Sequence, residues 1–293
     1  METAELLKNV RKIEIKSRKL SKNIFAGEYH SAFKGKGMAF SEVREYQFGD
    51  DIRNIDWNVT ARFNHPYVKI FEEERELTVM LLVDMSASRV FGTQHYPKQS
   101  LIAEISAVLA FSAIQNNDKI GAIIFSDKIE KFISPQKGRQ QTLRIIRELL
   151  TFTPSNSTTN ISEALRFLTN SIKKRCTAFV ISDFIDYNEN NEVNFYDSLK
   201  LANRKHDIVA LQITDIRETQ LVPVGLIKLK DAETGKEVWV DSSDPEIRKA
   251  YNNWWTLYQD NLNNVFSRCG VDRAQFYTGK DFVRPLINLF EKR

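Results

Sequence analysis

The stretch that most constrains this chain is an apolar run, Thr78 to Val83, ending in Asp84 and followed by Ser86 and Ser88 at alternate positions. The run reads as a buried strand. At the carboxyl end of such a strand, an aspartate and two alternate serines can point one carboxylate and two hydroxyls into a single crevice. In open α/β sheets that crevice is where ligands bind. The side chains offer only oxygen, so the fitting guest is a hard cation, Mg²⁺ ahead of Zn²⁺.

Two later features add to this one. Ser157, Thr158, Thr159 and Asn160 precede a helical pattern at Ile161, Leu165 and Leu168, placing a hydroxyl at a loop-to-helix junction. Ala178 to Ser182 is a second apolar strand, and Asp183 ends it. Taken one at a time, Ser157 and Thr159 could simply cap a helix and Asp183 could open a turn. In this order, the three oxygen-bearing tips resemble the metal-ion-dependent adhesion site of von Willebrand factor A domains.

The length of 293 residues allows one large domain, or a core with sizeable additions. Hydrophobic content of 42% with 27% charged residues belongs to a soluble globular protein. A net charge of +4 is too small to imply nucleic acid by itself. Cys176 and Cys269 are the only cysteines and lack zinc spacing, which points to a reducing compartment. No apolar run is long enough to span a membrane and no secretory h-region is present, so the expected location is cytoplasmic. Residues 5–24 read as a basic amphipathic helix, expected to dock on the body with its basic face solvated rather than to serve a membrane.

Strands are expected at 67–71, 77–83, 119–125, 128–133, 177–182, 207–213 and 271–277, with 128–133 an antiparallel edge. Helices fit 98–116, 139–151, 160–173, 194–204, 244–268 and 281–290. Asp244 and Pro245 form a helix-start signature. Residues 226–230 and 237–240 flank a turn-rich loop and read as a hairpin. Strands alternating with helices indicate an α/β fold with a mostly parallel sheet covered on both faces.

The segment before the first core strand is distinctive. Arg44, Tyr46, Gly49, Asp50, Asp51, Arg53, Ile55, Asp56 and Trp57 follow the spacing R-x-Y-x-x-G-D-D-x-R-x-I-D-W, with Arg62 beyond. This closely resembles bacterial proteins of domain-of-unknown-function family 58, which carry a von Willebrand A-like domain and are often encoded beside MoxR-type AAA+ ATPases. The resemblance covers nearly the whole chain. It implies an A-like domain over 77–293 with a hairpin insertion near 225–241, and a family-specific extension over 1–76 packed on it. It also implies a metal site of Asp84, Ser86, Ser88, Thr159 and Asp183 for Mg²⁺, with Mn²⁺ or Ca²⁺ as substitutes. Arg89 stands where the family often has methionine, and Asn160 where it often has aspartate. With Trp57, these two are the candidate partner-binding residues. The charged residues from Arg44 to Arg62 are expected to form an ion-pair lattice.

An aspartate ending a first strand also suggests haloacid-dehalogenase-like phosphatases, but their acid/base aspartate would fall at Ser86, which cannot do that chemistry at neutral pH. The four histidines are scattered; His206 and His65 read as surface or turn residues. No P-loop or Rossmann fingerprint is present. The expected function is therefore a non-catalytic, Mg²⁺-dependent protein-binding adaptor acting with a MoxR-type ATPase and with membrane-anchored A-domain proteins. A nucleic-acid-binding A domain and a metal-dependent phosphatase are the alternatives, and no nucleic acid is expected.

Overall fold

The computed structural model describes residues 13, 14, 17, 39–72, 77–90, 97–153, 158–188, 192–230 and 235–293. The chain divides into two compact units, Met1–Ala32 with Thr78–Arg293, and Phe33–Leu77.

The larger unit is built on a six-stranded sheet in the order β10-β7-β6-β3-β4-β5. Its strands are β3 (Thr78–Asp84), β4 (Lys119–Phe125), β5 (Ile129–Gln136), β6 (Thr177–Ser182), β7 (Asp207–Thr214) and β10 (Asp272–Tyr277). Every pairing is parallel except β4 with β5, so β5 is the antiparallel edge expected of it. Met80 and Leu82 of β3 pack with α4 (Ile161–Ser171), α5 (Tyr196–Lys205) and α7 (Pro245–Cys269), while the alternate residues Val79, Leu81 and Val83 are equally buried. Both faces of the sheet are therefore covered, which is why its central strands are continuous apolar runs. On a second cluster Ala107 and Phe111 of α2 (Lys98–Gln115) meet Ile146 of α3 (Arg139–Thr151), with Ile13 packed against them. Helix α2 is buried almost all round. The fold class expected from the sequence, a mostly parallel α/β sheet between helices, is the one found.

After β3 the chain builds β4 and β5 on one side, then returns to β6 on the other. The crevice between the carboxyl ends of β3 and β6 is the point where strand order reverses, and it is where ligands enter such sheets. Asp84 ends β3 and Asp183 follows β6, so both acids stand at that crevice.

The β4–β5 edge contains a close approach. A Cβ on Gly121 would lie 2.8 Å from the Ile133 carbonyl oxygen, 2.8 Å from Met80 Sδ and 3.0 Å from the Pro135 nitrogen. Two of these neighbours are backbone. Gly121→Ala should therefore cost about 1–3 kcal/mol, as overpacking does. Urea melts check this, and an unchanged midpoint would mean that the edge strand shifts freely.

Of the remaining elements, α6 (Ile216–Thr219) and α8 (Val283–Glu291) are short, and β8 (Leu226–Lys230) pairs with β9 (Glu237–Asp241) in the expected hairpin. Asp244 caps α7 with Pro245 at its start, as the sequence indicates. Among the described residues no helix is long and apolar enough to cross a membrane.

In the smaller unit β1 (Ala39–Glu45) pairs antiparallel with β2 (Tyr67–Glu72), joined through a turn at Ile52–Asn54 and α1 (Trp57–Phe63). The charged string acts here mostly through caps rather than a lattice. Arg44 grips Asp50 bidentately at 2.8 and 2.7 Å. Asp51 caps the 3₁₀ turn and Asp56 caps α1 through Asn58 and Val59. Lys69 lies 3.5 Å from Asp56, while Arg53 and Arg62 make no ion pair among the described residues. These backbone ties leave Phe48, Ile52 and Trp57 exposed. Of the basic helix expected at 5–24, only residues 13, 14 and 17 are described; Glu14 pairs with Arg139 of α3 at 2.6 Å.

Candidate functional site

Asp84 is buried at the floor of the crevice. Its Oδ1 accepts from the Ser86 backbone N–H at 2.9 Å, and its Oδ2 accepts from the Ser182 hydroxyl at 2.6 Å. Ser182 Oγ in turn accepts from the Phe184 N–H at 2.9 Å. The Ser86 and Ser88 hydroxyls are 3.1 Å apart, so the alternate spacing read from the sequence does converge two hydroxyls.

The chain leaves β6 through Phe184, whose φ of 63° lies in the left-handed region that a bulky residue rarely occupies. Packing holds it there. Phe184 is buried against the edge of Phe266 at 5.1 Å, and Tyr258 OH donates to its carbonyl. The turn lets Asp183 and Asp186 face different neighbours. Asp186 accepts from Ile161 N–H at 3.0 Å and from Asn194 Nδ2 at 2.7 Å, tying the loop to the start of α4. The Asn160 N–H donates to the Ser126 carbonyl at 2.8 Å, next to the end of β4, and the Asn160 side chain caps α4 through Glu163. Thr159, half-buried, is thereby anchored at the same end of the sheet.

A residue that sequence reasoning did not single out sits at the centre. Lys98, the first residue of α2 and 2% exposed, donates to Asp183 Oδ2 at 3.1 Å and lies 2.6 Å from Glu218 Oε1. Helix starts disfavour cations, so these acids are what hold it there. Glu218 belongs to a capping box with Asp215, and the Asp215 side chain accepts from Thr278. Asp183 Oδ1 accepts from the Ile185 N–H at 3.2 Å. Burial alone would push the Lys98 ammonium down, but Asp183 and Glu218 overrule it and hold its pKa above the ordinary lysine value.

Asp84 feels the reverse. Burial, then the Asp183 charge, push its pKa up to about 6, against the hydrogen bonds from Ser182 and Ser86. Burial also raises Glu218, against the pull of Lys98. Asp183 and Glu218 thus share one lysine, Asp84 stands beside Asp183 with no cation of its own, and among the described residues the crevice is short of positive charge.

The donors suit a hard cation. The polar side chains gathered there, among the described residues, offer oxygen apart from Lys98, and no second cation pairs with these acids. Among the described residues no three His, Cys, Asp or Glu side chains group as a metal cluster, so an ion would depend on the hydroxyls of Ser86, Ser88 and Thr159. Arg89 has its backbone in the turn Ala87–Val90, and its side chain lies outside the described residues, as does Ser157. Trp57 is 66% exposed in the smaller unit. His206, read from sequence as a surface or turn residue, is instead fully buried. Its Nδ1 is 3.2 Å from Cys176 Sγ, and burial lowers its pKa to about 4, so it is a neutral core group.

The family described as "Protein of unknown function DUF58" matches residues 42–259. The Mycobacterium tuberculosis "Uncharacterized protein Rv1480" is 28% identical over 286 residues, covering 97% of this chain and 88% of that protein. Bacillus subtilis "Uncharacterized protein YeaD" is 31% identical over 110 residues, 37% of this chain and 25% of that protein. Among solved structures, BatB from Bacteroides thetaiotaomicron has a TM-score of 0.45 at 14% identity, covering 74% of this chain and 98% of that one. The SpRpn10 VWA domain has a TM-score of 0.38 at 11% identity, covering 73% of this chain and 94% of that one.

Proposed function

The chain belongs to the DUF58 family, and from that premise we propose that it is a non-catalytic, cation-assisted protein-binding adaptor working at the crevice around Asp84. The observation that carries the reading is the surplus, among the described residues, of buried carboxylate over cation there, beside two hydroxyls 3.1 Å apart. Mg²⁺ would be held by the hydroxyls of Ser86, Ser88 and Thr159, with Asp84 and Asp183 acting directly or through water. Bound there, it supplies a Lewis-acidic position open to a carboxylate. The chain's own residues do the rest. Ser182 and the Ser86 N–H fix the Asp84 carboxylate, and Lys98 takes up part of the charge of Asp183 and Glu218. A partner's Asp or Glu then approaches past Arg89 and Asn160. Trp57, exposed beside its capping Asp56, is a separate anchor suited to a partner surface.

Catalysis is not part of this reading. Ser86 stands where a phosphatase of the aspartate type needs its acid/base, and His206 is buried with Cys176. The family resemblance makes a MoxR-type AAA+ ATPase the partner to test first and membrane-anchored A-domain proteins second, in a cytoplasmic setting without nucleic acid.

Affinity capture of the MoxR-type ATPase with Mg²⁺ and with chelator tests the proposal. Capture should fall about tenfold or more on chelation and in Ser86→Ala, which removes one buried hydroxyl oxygen from the turn after β3. Equal capture in Mg²⁺ and chelator would remove the cation from the mechanism.

A further inference from the structure

Strand β10 alternates between two environments. Ala274, Phe276 and Thr278 are buried, while Arg273, Gln275 and Tyr277 project to the other side and are only partly covered. Opposite them α7 presents Trp255, Gln259 and Asn263, four residues apart on one stripe. These six side chains line an open pocket of about 340 Å³.

The Arg273 guanidinium donates to the side-chain oxygens of Asn263, Gln212 and Gln259 and lies over the Phe266 ring, 5.9 Å from its centroid. All these partners are neutral. Among the described residues no carboxylate pairs with Arg273, although buried charges are ordinarily paired. Gln259 Oε1 accepts from both Arg273 and Gln275, the latter at 3.2 Å, which fixes the orientation of the amide. Its Nε2 and Arg273 Nε are then buried donors with no acceptor. The pocket floor therefore holds donors, and one positive charge, in excess of acceptors.

We propose that this pocket binds a small monocarboxylate, its carboxylate seated on Arg273 and the amides of Gln259 and Asn263, its apolar body between Trp255 and Tyr277. A carboxylate only accepts and carries one negative charge, so where Arg273 lines the pocket it supplies the charge that the neutral amide partners lack. One guanidinium balances one negative charge. The other polar groups, three amides, the Tyr277 hydroxyl and the Trp255 indole N–H, are neutral, which suits a monoanion over a phosphate dianion. Lys280 stands over the Tyr277 ring, 4.9 Å from its centroid, and does not line the pocket. The volume is that of a small-molecule site. The site is distinct from the Asp84 crevice, to which Gln212 ties it through the Asp183 carbonyl, and needs no metal.

Saturation-transfer NMR and calorimetry with benzoate, acetate and inorganic phosphate as probes test it on the full chain. Benzoate should bind in the millimolar range or tighter, and more tightly than acetate. Affinity should fall about tenfold or more in Arg273→Gln, which loses the charge-assisted bonds. Asn263→Leu, at an exposed position, should weaken benzoate several-fold and serves if Arg273→Gln melts early. The proposal is overturned by no benzoate binding in the wild type. Wild-type affinity in a folded Arg273→Gln or Asn263→Leu, or phosphate bound more tightly than benzoate, would overturn it equally.

Discussion

Replacing Lys98 by methionine should lower stability by roughly 3–5 kcal/mol at neutral pH, the usual cost of removing one member of a buried ion pair. The change strands Asp183 and Glu218 together, and neither has another described cation within pairing distance. The apolar stem of methionine fills much the same space, so lost packing is a small part of the loss. The deficit should shrink in acid. Without the ammonium the Glu218 carboxyl, already raised by burial, protonates more readily, and a neutral carboxyl is cheap to bury. Urea melts at pH 7.5 and pH 4.5 measure both statements. A neutral-pH loss below about 1 kcal/mol would mean that water already reaches these acids. Mg²⁺ gives a second readout. Under the cation proposal Lys98 and a divalent ion would compete for Asp183, so millimolar Mg²⁺ should recover part of the lost stability and should bind the variant more tightly than the wild type. If Mg²⁺ leaves the variant's midpoint unmoved, the crevice does not take the ion. The fold argument would survive that result and the cation proposal would not.

The strands were legible because burial on both faces forces continuous apolar runs, whereas their order in the sheet was not read from the sequence. The aspartates ending β3 and β6 mark where those runs stop. The hydroxyl pair was legible too, since alternate residues after a strand converge. Lys98 was not, because a lysine at a helix start ordinarily reaches solvent; what buries it is the meeting of three separate segments. A signal did exist in the unfavourable charge at the first turn of an otherwise apolar helix. The spacing D-x-x-E at Asp215 and Glu218 was a second signal, a capping box that places an acid. His206 misled because strand starts are commonly exposed, whereas this one lies under the end of α5. The charged string around Asp50 reads as ion pairs, yet three of its aspartates mainly accept backbone or adjacent guanidinium hydrogen bonds that shape a turn. The Arg273 pocket depends on the register of β10 against α7, which no local pattern specifies.

Asp84→Asn should stabilise the folded chain at neutral pH while weakening partner capture. Burial and Asp183 lift the carboxyl from an ordinary value of 3.8 to about 6 in the folded state. A carboxyl raised on folding favours the native state while it stays protonated. That contribution is complete below pH 3.8 and is lost as pH rises through about 6. At pH 7.5 the native chain therefore carries a buried carboxylate that opposes folding by on the order of 3 kcal/mol. Asparagine keeps an oxygen for the Ser86 N–H and presents its amide to Ser182, whose hydroxyl can turn to accept. It removes the charge and little else. The variant and the wild type should thus melt alike near pH 4 and diverge as pH rises, with the variant the more stable. The expectation reverses if Asp84 is held ionised by groups the crevice does not show: the variant would then be the weaker at every pH above 4. Stability given up at a buried acid is what a binding residue looks like. In millimolar Mg²⁺ the wild type should recover the deficit that the variant never had, so the gap between them closes. A gap that ignores Mg²⁺ would leave Asp84 as a strained core acid with no ligand to explain it.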